Sequence, residues 1–150
     1  LFQRVREHLG AAYYVRAEAN LFSDHGYFAV AAGVDHTKMN LVIKAVLEEL
    51  KMTAQGKVPA EELKRSKDHL IGRLLLGLDT SDALATYYGG QEILRQEIVT
   101  PEALIQKISA VSAADIQKIA GEIFGNEKLN LALIGPYKDG SSIVPILKFS

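Results

Sequence analysis

The 150-residue sequence contains no cysteine. This absence excludes disulfide bonds, thiol nucleophiles and cysteine-ligated zinc together. It fits both a reducing cytosol and a disulfide-free exported protein. The compartment therefore stays open, with the cytoplasm slightly favoured.

The sequence also lacks long apolar runs and an excess of either charge. Its apolar stretches are short and interrupted by charged residues, so no span of about 20 apolar residues could cross a bilayer. The formal net charge is -1, with Lys and Arg scattered among Asp and Glu. We therefore expect a soluble protein that binds neither nucleic acid nor an anionic membrane.

Hydrophobic residues make up 48% of the sequence, and no long low-complexity segment interrupts them. A chain of this length and composition can bury a core, so we predict a single domain over residues 1–150. The first residue is Leu1 rather than Met. We expect the chain to be a fragment of a larger domain, with any targeting signal outside it.

The first part of the sequence predicts a short helix and a β-hairpin. Apolar and charged residues recur at helical spacing over Leu1–Leu9, and Gly10 can adopt the left-handed conformation that ends a helix. The period changes to two over Tyr13–Leu21, and a β-rich run covers Tyr27–Val34. Turn residues between these runs predict an antiparallel hairpin. The apolar face of the first strand consists of Tyr13, Val15, Ala17, Ala19 and Leu21.

The rest of the sequence predicts five helices and a closing strand. An amphipathic helix follows Asp35, a plausible N-cap, and reaches about Thr53. The other four helices are predicted to begin at Pro59, Thr80, Thr100 and Ser112. Leu129–Ile134 is predicted to form a strand. Strands segregated from a helical block predict an α+β fold, in which helices pack on one face of a mixed, mainly antiparallel sheet.

The histidines offer no metal site in this sequence. They are His8, His25, His36 and His69, and none lies in an H-x-x-E-H motif, the inverted zinc-binding helix. Arg4–His8 matches that motif except that Arg4 replaces the first histidine, and a guanidinium has no lone pair to give a metal. We therefore assign no metal ligand and no catalytic residue to this chain.

Two other stretches match functional motifs in composition only. Ser23-Asp24-His25 contains the residue types of a catalytic triad, but adjacent side chains cannot assemble a nucleophile, a base and an orienting group. Tyr87–Gly90 lacks the preceding strand, the glycine spacing and the lysine of a phosphate-binding loop. We interpret the first as a turn and the second as a site of close packing or irregularity in a helix.

Four segments resemble, in order and spacing, the second homologous domain of the pitrilysin/insulinase-type zinc metallopeptidases. They are Phe2–Tyr13, Phe22–Asp24, Ala32–Asp35 and Leu129–Pro136. One departure is Ala11, where relatives often carry Leu. The resemblance implies an α+β processing-peptidase-like domain that holds no zinc and that is here missing its first strands.

The resemblance also implies a substrate-binding role for two residues. In that family the second domain contributes an arginine and, seven positions later, a tyrosine, which hydrogen-bond the substrate opposite the zinc. These positions correspond to Arg6 and Tyr13. Both side chains are donors suited to a peptide carbonyl or a developing oxyanion, and neither can activate water alone. The simpler interpretation makes Arg6 a solvated charge and Tyr13 a core side chain.

Three functional hypotheses remain open from the sequence. In the first, this chain is an inactive domain that completes a peptide-binding chamber, while a partner domain or subunit carries the zinc and its motif. In the second, it is a non-enzymatic scaffold or assembly subunit with the same fold, as some relatives in respiratory complexes are. In the third, it is an independent hydrolase. Isolated, the chain is expected to leave a sheet edge unpaired and to form a homo-oligomer.

Overall fold

A computed structural model describes Val5 and residues 10–56, 58–95, 97–137, 139–141 and 143–149. The helix predicted over Leu1–Leu9 lies outside these residues, except for Val5. The chain forms two compact units. The hairpin unit comprises Leu1–Lys57 and Ile116–Ser150, and the helical unit comprises Val58–Asp115.

An antiparallel β-hairpin forms the sheet of the hairpin unit. Strand β1 spans Ala12–Leu21 and strand β2 spans Gly26–Val34. Between them the Phe22 amide donates a 2.9 Å hydrogen bond to the His25 carbonyl. The hairpin prediction is confirmed, and each strand begins one residue earlier than the period-two pattern predicts.

Strand β2 leads into helix α1 through the predicted N-cap. The Asp35 carboxylate accepts hydrogen bonds from the Thr37 hydroxyl at 2.7 Å and from the Thr37 amide at 2.8 Å. These bonds lower the pKa of Asp35 because they stabilise its charged form. They also start a single 3₁₀ turn, His36–Lys38, that continues into α1, Met39–Ala54. Gly56 follows at φ 73°, in the left-handed region that favours glycine.

A small apolar core joins α1 to the open end of the hairpin, where β1 begins and β2 ends. Its buried side chains are Val5, Ala11, Val15, Val42 and Ala45. The partly buried side chains packed against them are Ala12, Val30, Ala32, Val34 and Val46. These contacts join residues that are distant in the sequence, and they fix the start of β1.

The helical unit contains three helices. They are α2, Ala60–Gly77, α3, Ser81–Arg95, and α4, Pro101–Ala110. Helices α2 and α4 pack against each other. Helix α5 follows at Ala113–Ile123. The five helices predicted after the hairpin are therefore confirmed.

The strand predicted over Leu129–Ile134 is wrong. Leu129 has an extended backbone, but the sheet of the described residues contains β1 and β2 alone. The Ile134 side chain is fully exposed. An extended segment becomes a strand only when a neighbour completes its hydrogen bonds, and the sequence pattern predicts conformation rather than partner. The α+β class is confirmed.

Candidate substrate-contact site

Tyr13 lies at a β-bulge near the start of β1. Ala12 pairs with Val34 and Tyr14 pairs with Gly33, so Tyr13 is left without a partner in β2. A bulge of this kind redirects a side chain and occurs often beside functional sites. The Tyr13 side chain is 77% exposed, whereas Val15, two residues later, is 8% exposed. Tyr13 is therefore a surface residue and not a core side chain in this structure.

The neighbouring Tyr14 has a structural environment that Tyr13 lacks. Its ring lies over Gly33, where a Cβ atom would overlap the ring carbons. The glycine thus allows the aromatic ring to pack across the two strands, as an aromatic residue opposite a strand glycine often does. Tyr14 therefore covers the hairpin backbone, whereas Tyr13 projects from a bulge.

The chain just before Tyr13 is attached to the core. Val5 is fully buried, and its carbonyl accepts a 3.2 Å hydrogen bond from the Ala11 amide. The Lys38 ammonium donates to the Gly10 carbonyl at 2.9 Å. Gly10 has φ 52°, the left-handed conformation predicted for it. These contacts hold the backbone on which Tyr13 is presented.

The Tyr13 hydroxyl forms no hydrogen bond with any of the residues that the structure describes. A phenol can donate one hydrogen bond and accept others. A ligand carbonyl could therefore bind it without breaking a bond inside the described protein. Arg6, the other predicted contact residue, lies outside the described residues.

The described histidines do not form a zinc site. His25 hydrogen-bonds Asp24 at 2.6 Å and stacks on the Phe22 ring, with ring centroids 4.6 Å apart. His36 lies 3.6 Å from Asp35 at the start of α1. Within the described ranges, no three His, Cys, Asp or Glu side chains cluster closely enough to hold a metal ion. The described residues therefore do not fit the zinc centre of a metallopeptidase.

Ser23-Asp24-His25 lies in the hairpin turn, as predicted. Tyr87–Gly90 lies inside α3, and the Tyr87 hydroxyl donates to the Val99 carbonyl at 2.8 Å. Sequence reasoning missed the bulge at Tyr13. An isolated glycine within a β-rich run is a signal for a bulge, and Gly33 on the opposite strand supplied that signal.

Comparisons with known proteins find similarity to the M16 peptidases. Residues 1–70 match the family model described as the Peptidase M16 inactive domain. An uncharacterized zinc protease of Streptomyces coelicolor is 32% identical over 139 residues, which is 93% of this chain and 30% of the relative. A conserved protein from Enterococcus faecalis V583 superposes with a TM-score of 0.71 at 31% identity, covering 80% of this chain and 28% of the other.

A chain of complex III2 from Candida albicans has the same fold. It superposes with a TM-score of 0.71 at 16% identity and covers 81% of this chain and 29% of the other. At that identity the likeness shows the fold alone.

The first 70 residues of this chain match the inactive domain of the M16 peptidases, and relatives that are called zinc proteases match over most of its length. The predicted pitrilysin/insulinase-type relationship is therefore confirmed. The chain spans about 30% of the length of the curated relative from Streptomyces coelicolor. None of the helices in the described part of the chain is long and apolar enough to span a membrane.

Proposed function

We propose that this chain is the substrate-binding, inactive domain of a zinc metalloendopeptidase. In this proposal it completes a peptide-binding chamber opposite a zinc that another domain holds. The observation that carries the proposal is the exposed Tyr13 side chain, which projects from a bulge on a strand fixed to the core. The M16 inactive-domain match and the zinc protease relatives support the same assignment.

The residues of this chain would bind and orient the peptide. The Tyr13 phenol and the Arg6 guanidinium are donors that a peptide carbonyl can accept. Such bonds accelerate hydrolysis when they strengthen as the carbonyl becomes an oxyanion. A zinc ion in the partner domain would polarise the carbonyl and supply an activated water. Neither Tyr13 nor Arg6 replaces that chemistry.

The partner in this proposal is a catalytic domain with an H-x-x-E-H helix, either in the same polypeptide or in a second subunit. The names of the relatives support its existence, because proteins about three times as long as the matched region are called zinc proteases. The substrate class is a peptide, which the two domains enclose between them.

A scaffold role is the second candidate. The fold of this chain also occurs in a chain of complex III2 from Candida albicans. A scaffold needs its fold and its contact surfaces, but it does not need a free phenol aimed at a substrate. Peptidase kinetics of Tyr13 variants separate the two candidates.

The direct experiment replaces Tyr13 by Phe in the complete enzyme. Loss of one transition-state hydrogen bond should lower kcat/KM by roughly 10- to 1,000-fold. The melting temperature should not change, because the side chain is exposed and its hydroxyl has no partner among the described residues. Arg6→Ala should have a similar effect on turnover.

Tyr14→Phe is the matched control, since it removes the same atom from the adjacent tyrosine and keeps the ring that covers Gly33. It should leave kcat/KM within about twofold of the parent, as expected for a group outside the reacting centre. Equal activity of the Tyr13→Phe and parent enzymes would refute substrate contact. A large loss of stability in Tyr13→Phe would instead give Tyr13 a structural role.

Zinc analysis tests the proposal that a partner domain, and not this chain, holds the zinc. The chain alone, after dialysis, should retain no stoichiometric zinc, because none of its described histidines lies in a group of three potential ligands. Atomic absorption on the dialysed protein measures this directly. One zinc per chain, lost when His25 and His36 are replaced by Ala, would overturn the inactive-domain assignment.

A further inference from the structure

The peptide group between Gly10 and Ala11 is held from both sides. Its amide, on Ala11, donates a 3.2 Å hydrogen bond to the Val5 carbonyl. Its carbonyl, on Gly10, accepts a 2.9 Å hydrogen bond from the Lys38 ammonium. Hydrogen bonds from a charged donor are roughly twice as strong as neutral ones. Because the peptide group is planar, bonds to both its donor and its acceptor restrict its rotation.

This peptide group is important because the regular pairing with β2 stops at the bulge. Tyr13 has no partner in β2, and in the described chain Ala12 alone pairs with β2 before it. A bulge disrupts the ladder locally, so the ladder beyond it restrains this residue weakly. Gly10 has φ 52° and no side chain, and glycine leaves the backbone free to adopt other conformations. The start of β1 therefore depends on contacts outside the ladder for its direction.

The backbone of Lys38 is itself fixed. Lys38 ends the 3₁₀ turn that Asp35 caps, and its amide donates a 2.9 Å hydrogen bond to the Asp35 carbonyl. The next residue, Met39, begins α1 and is 5% exposed. This turn directly follows β2 in the chain. The Lys38 side chain therefore connects the end of β2 to Gly10, just before Tyr13.

We propose that Lys38 is a positioning residue, which acts through the Gly10 carbonyl to hold Tyr13 where its hydroxyl meets the peptide substrate. The inference rests on the proposed substrate contact of Tyr13. A displacement of about 1 Å at the reacting centre can lower a rate by roughly 100-fold. In a Lys38 variant the buried Ala11 side chain and the pairing of Ala12 still restrain the chain. The expected loss is therefore smaller than that limit.

Lys38→Met in the complete enzyme removes the ammonium and keeps a long side chain. We expect kcat/KM to fall by roughly 5- to 50-fold. The melting temperature should stay within about 2 °C of the parent, because the side chain is exposed. Lys44→Met is the matched control. It removes the same charge from an exposed position of α1, where the ammonium bonds none of the described residues, and it should leave kcat/KM within about twofold.

A double-mutant cycle with Tyr13→Phe separates positioning from an independent effect of Lys38. Without the Tyr13 hydroxyl there is no contact left to position, so Lys38→Met should cost less than about twofold in that background. An equal factor in both backgrounds would overturn the proposal. Full activity of Lys38→Met would also overturn it, while a low activity of Tyr13→Phe would leave the substrate contact standing. Full activity of Tyr13→Phe would remove the substrate contact and this inference together.

Hydrogen exchange tests the contact without catalysis. The Ala11 amide belongs to the peptide group that Lys38 holds, so its exchange in the complete enzyme should become roughly 3- to 30-fold faster in Lys38→Met. The Leu104 amide of α4, which bonds the Thr100 carbonyl at 2.9 Å, provides the control and should exchange at the parent rate. Unchanged exchange at Ala11 would show that Lys38 does not hold this peptide group, and would overturn the proposal.

Discussion

The hairpin unit and the helical unit are stabilised by different kinds of contact. The hairpin unit buries valines and alanines from β1, β2, α1 and the chain before β1 against one another. In the helical unit, none of the described side chains is fully buried. Its helices are held by the packing of α2 against α4 and by side-chain hydrogen bonds, many of them between residues close in the sequence. The comparison separates a unit with a buried apolar core from one in which local hydrogen bonds have a larger share.

The helical unit shows three such local devices. Thr80 and Thr100 cap α3 and α4, accepting bonds from the amides three residues later at 3.1 Å and 3.2 Å. Gln91 holds the segment after α3, where its side chain accepts from the Val99 amide at 2.8 Å. Lys64 and Asp68 form an i, i+4 ion pair at 2.6 Å, which contributes little because both are exposed. We expect mutations to have smaller effects here than in the hairpin unit.

The largest effect on stability is expected from truncating a buried side chain of α1. Leu47 is 7% exposed, and Leu47→Ala should lower the free energy of unfolding by about 2–5 kcal/mol, through lost transfer energy and the cavity left behind. Leu76 on α2 is 82% exposed, and Leu76→Ala should stay within about 0.5 kcal/mol of the parent. Urea denaturation measures both. Equal losses would erase the distinction between the units.

A smaller effect on stability is expected from removing the side-chain hydrogen bonds to Val99, in the segment after α3. Gln91 bonds both the amide and the carbonyl of Val99, and Tyr87 bonds the same carbonyl. Gln91→Ala should cost about 1–3 kcal/mol, because it leaves a part-buried amide unsatisfied. Amide exchange at Val99 should become faster. Gln91→Glu retains an acceptor for the Val99 amide and should lower the free energy of unfolding by less than Gln91→Ala. Equal losses would mean that the hydrogen bond to the Val99 amide does not stabilise the protein.

The smallest effect is expected at the start of α5. Ser112 and Asp115 form a reciprocal capping box, in which the Ser112 hydroxyl accepts from the Asp115 amide at 3.2 Å and the Asp115 carboxylate accepts from the Ser112 amide at 2.8 Å. Ser112→Ala should cost about 1 kcal/mol. Ser112→Thr keeps the hydroxyl and serves as the control. Identical stabilities of the Ala and Thr variants would show that the cap does not stabilise the helix.

The two units also differ in how much of them the sequence predicts. Helix starts depend on side chains within three or four residues, so Thr100 and Ser112 could be assigned from sequence alone. The hairpin was predicted for the same reason, because turn residues and a period of two are local signals. The M16 relationship followed from short segments in a fixed order.

Features that depend on distant residues were not predicted. The bulge at Tyr13 arises from the pairing of Ala12 and Tyr14 with β2, and no pattern within β1 specifies that register. The alternation in Leu129–Ile134 predicted an extended conformation, but a strand also needs a neighbour. For the candidate site, the sequence identified Tyr13, and only the structure showed that it is exposed.

The measurement that tests the central claim most directly is a structure of the complete enzyme with a bound peptide. In the proposed zinc domain, replacing the glutamate of the H-x-x-E-H motif by glutamine should keep the peptide intact, since that glutamate would serve as the general base. We predict that the Tyr13 hydroxyl lies about 2.6–3.2 Å from a backbone carbonyl of the peptide, opposite the zinc. A peptide bound at the zinc, with Tyr13 out of hydrogen-bond reach of it, would contradict the account.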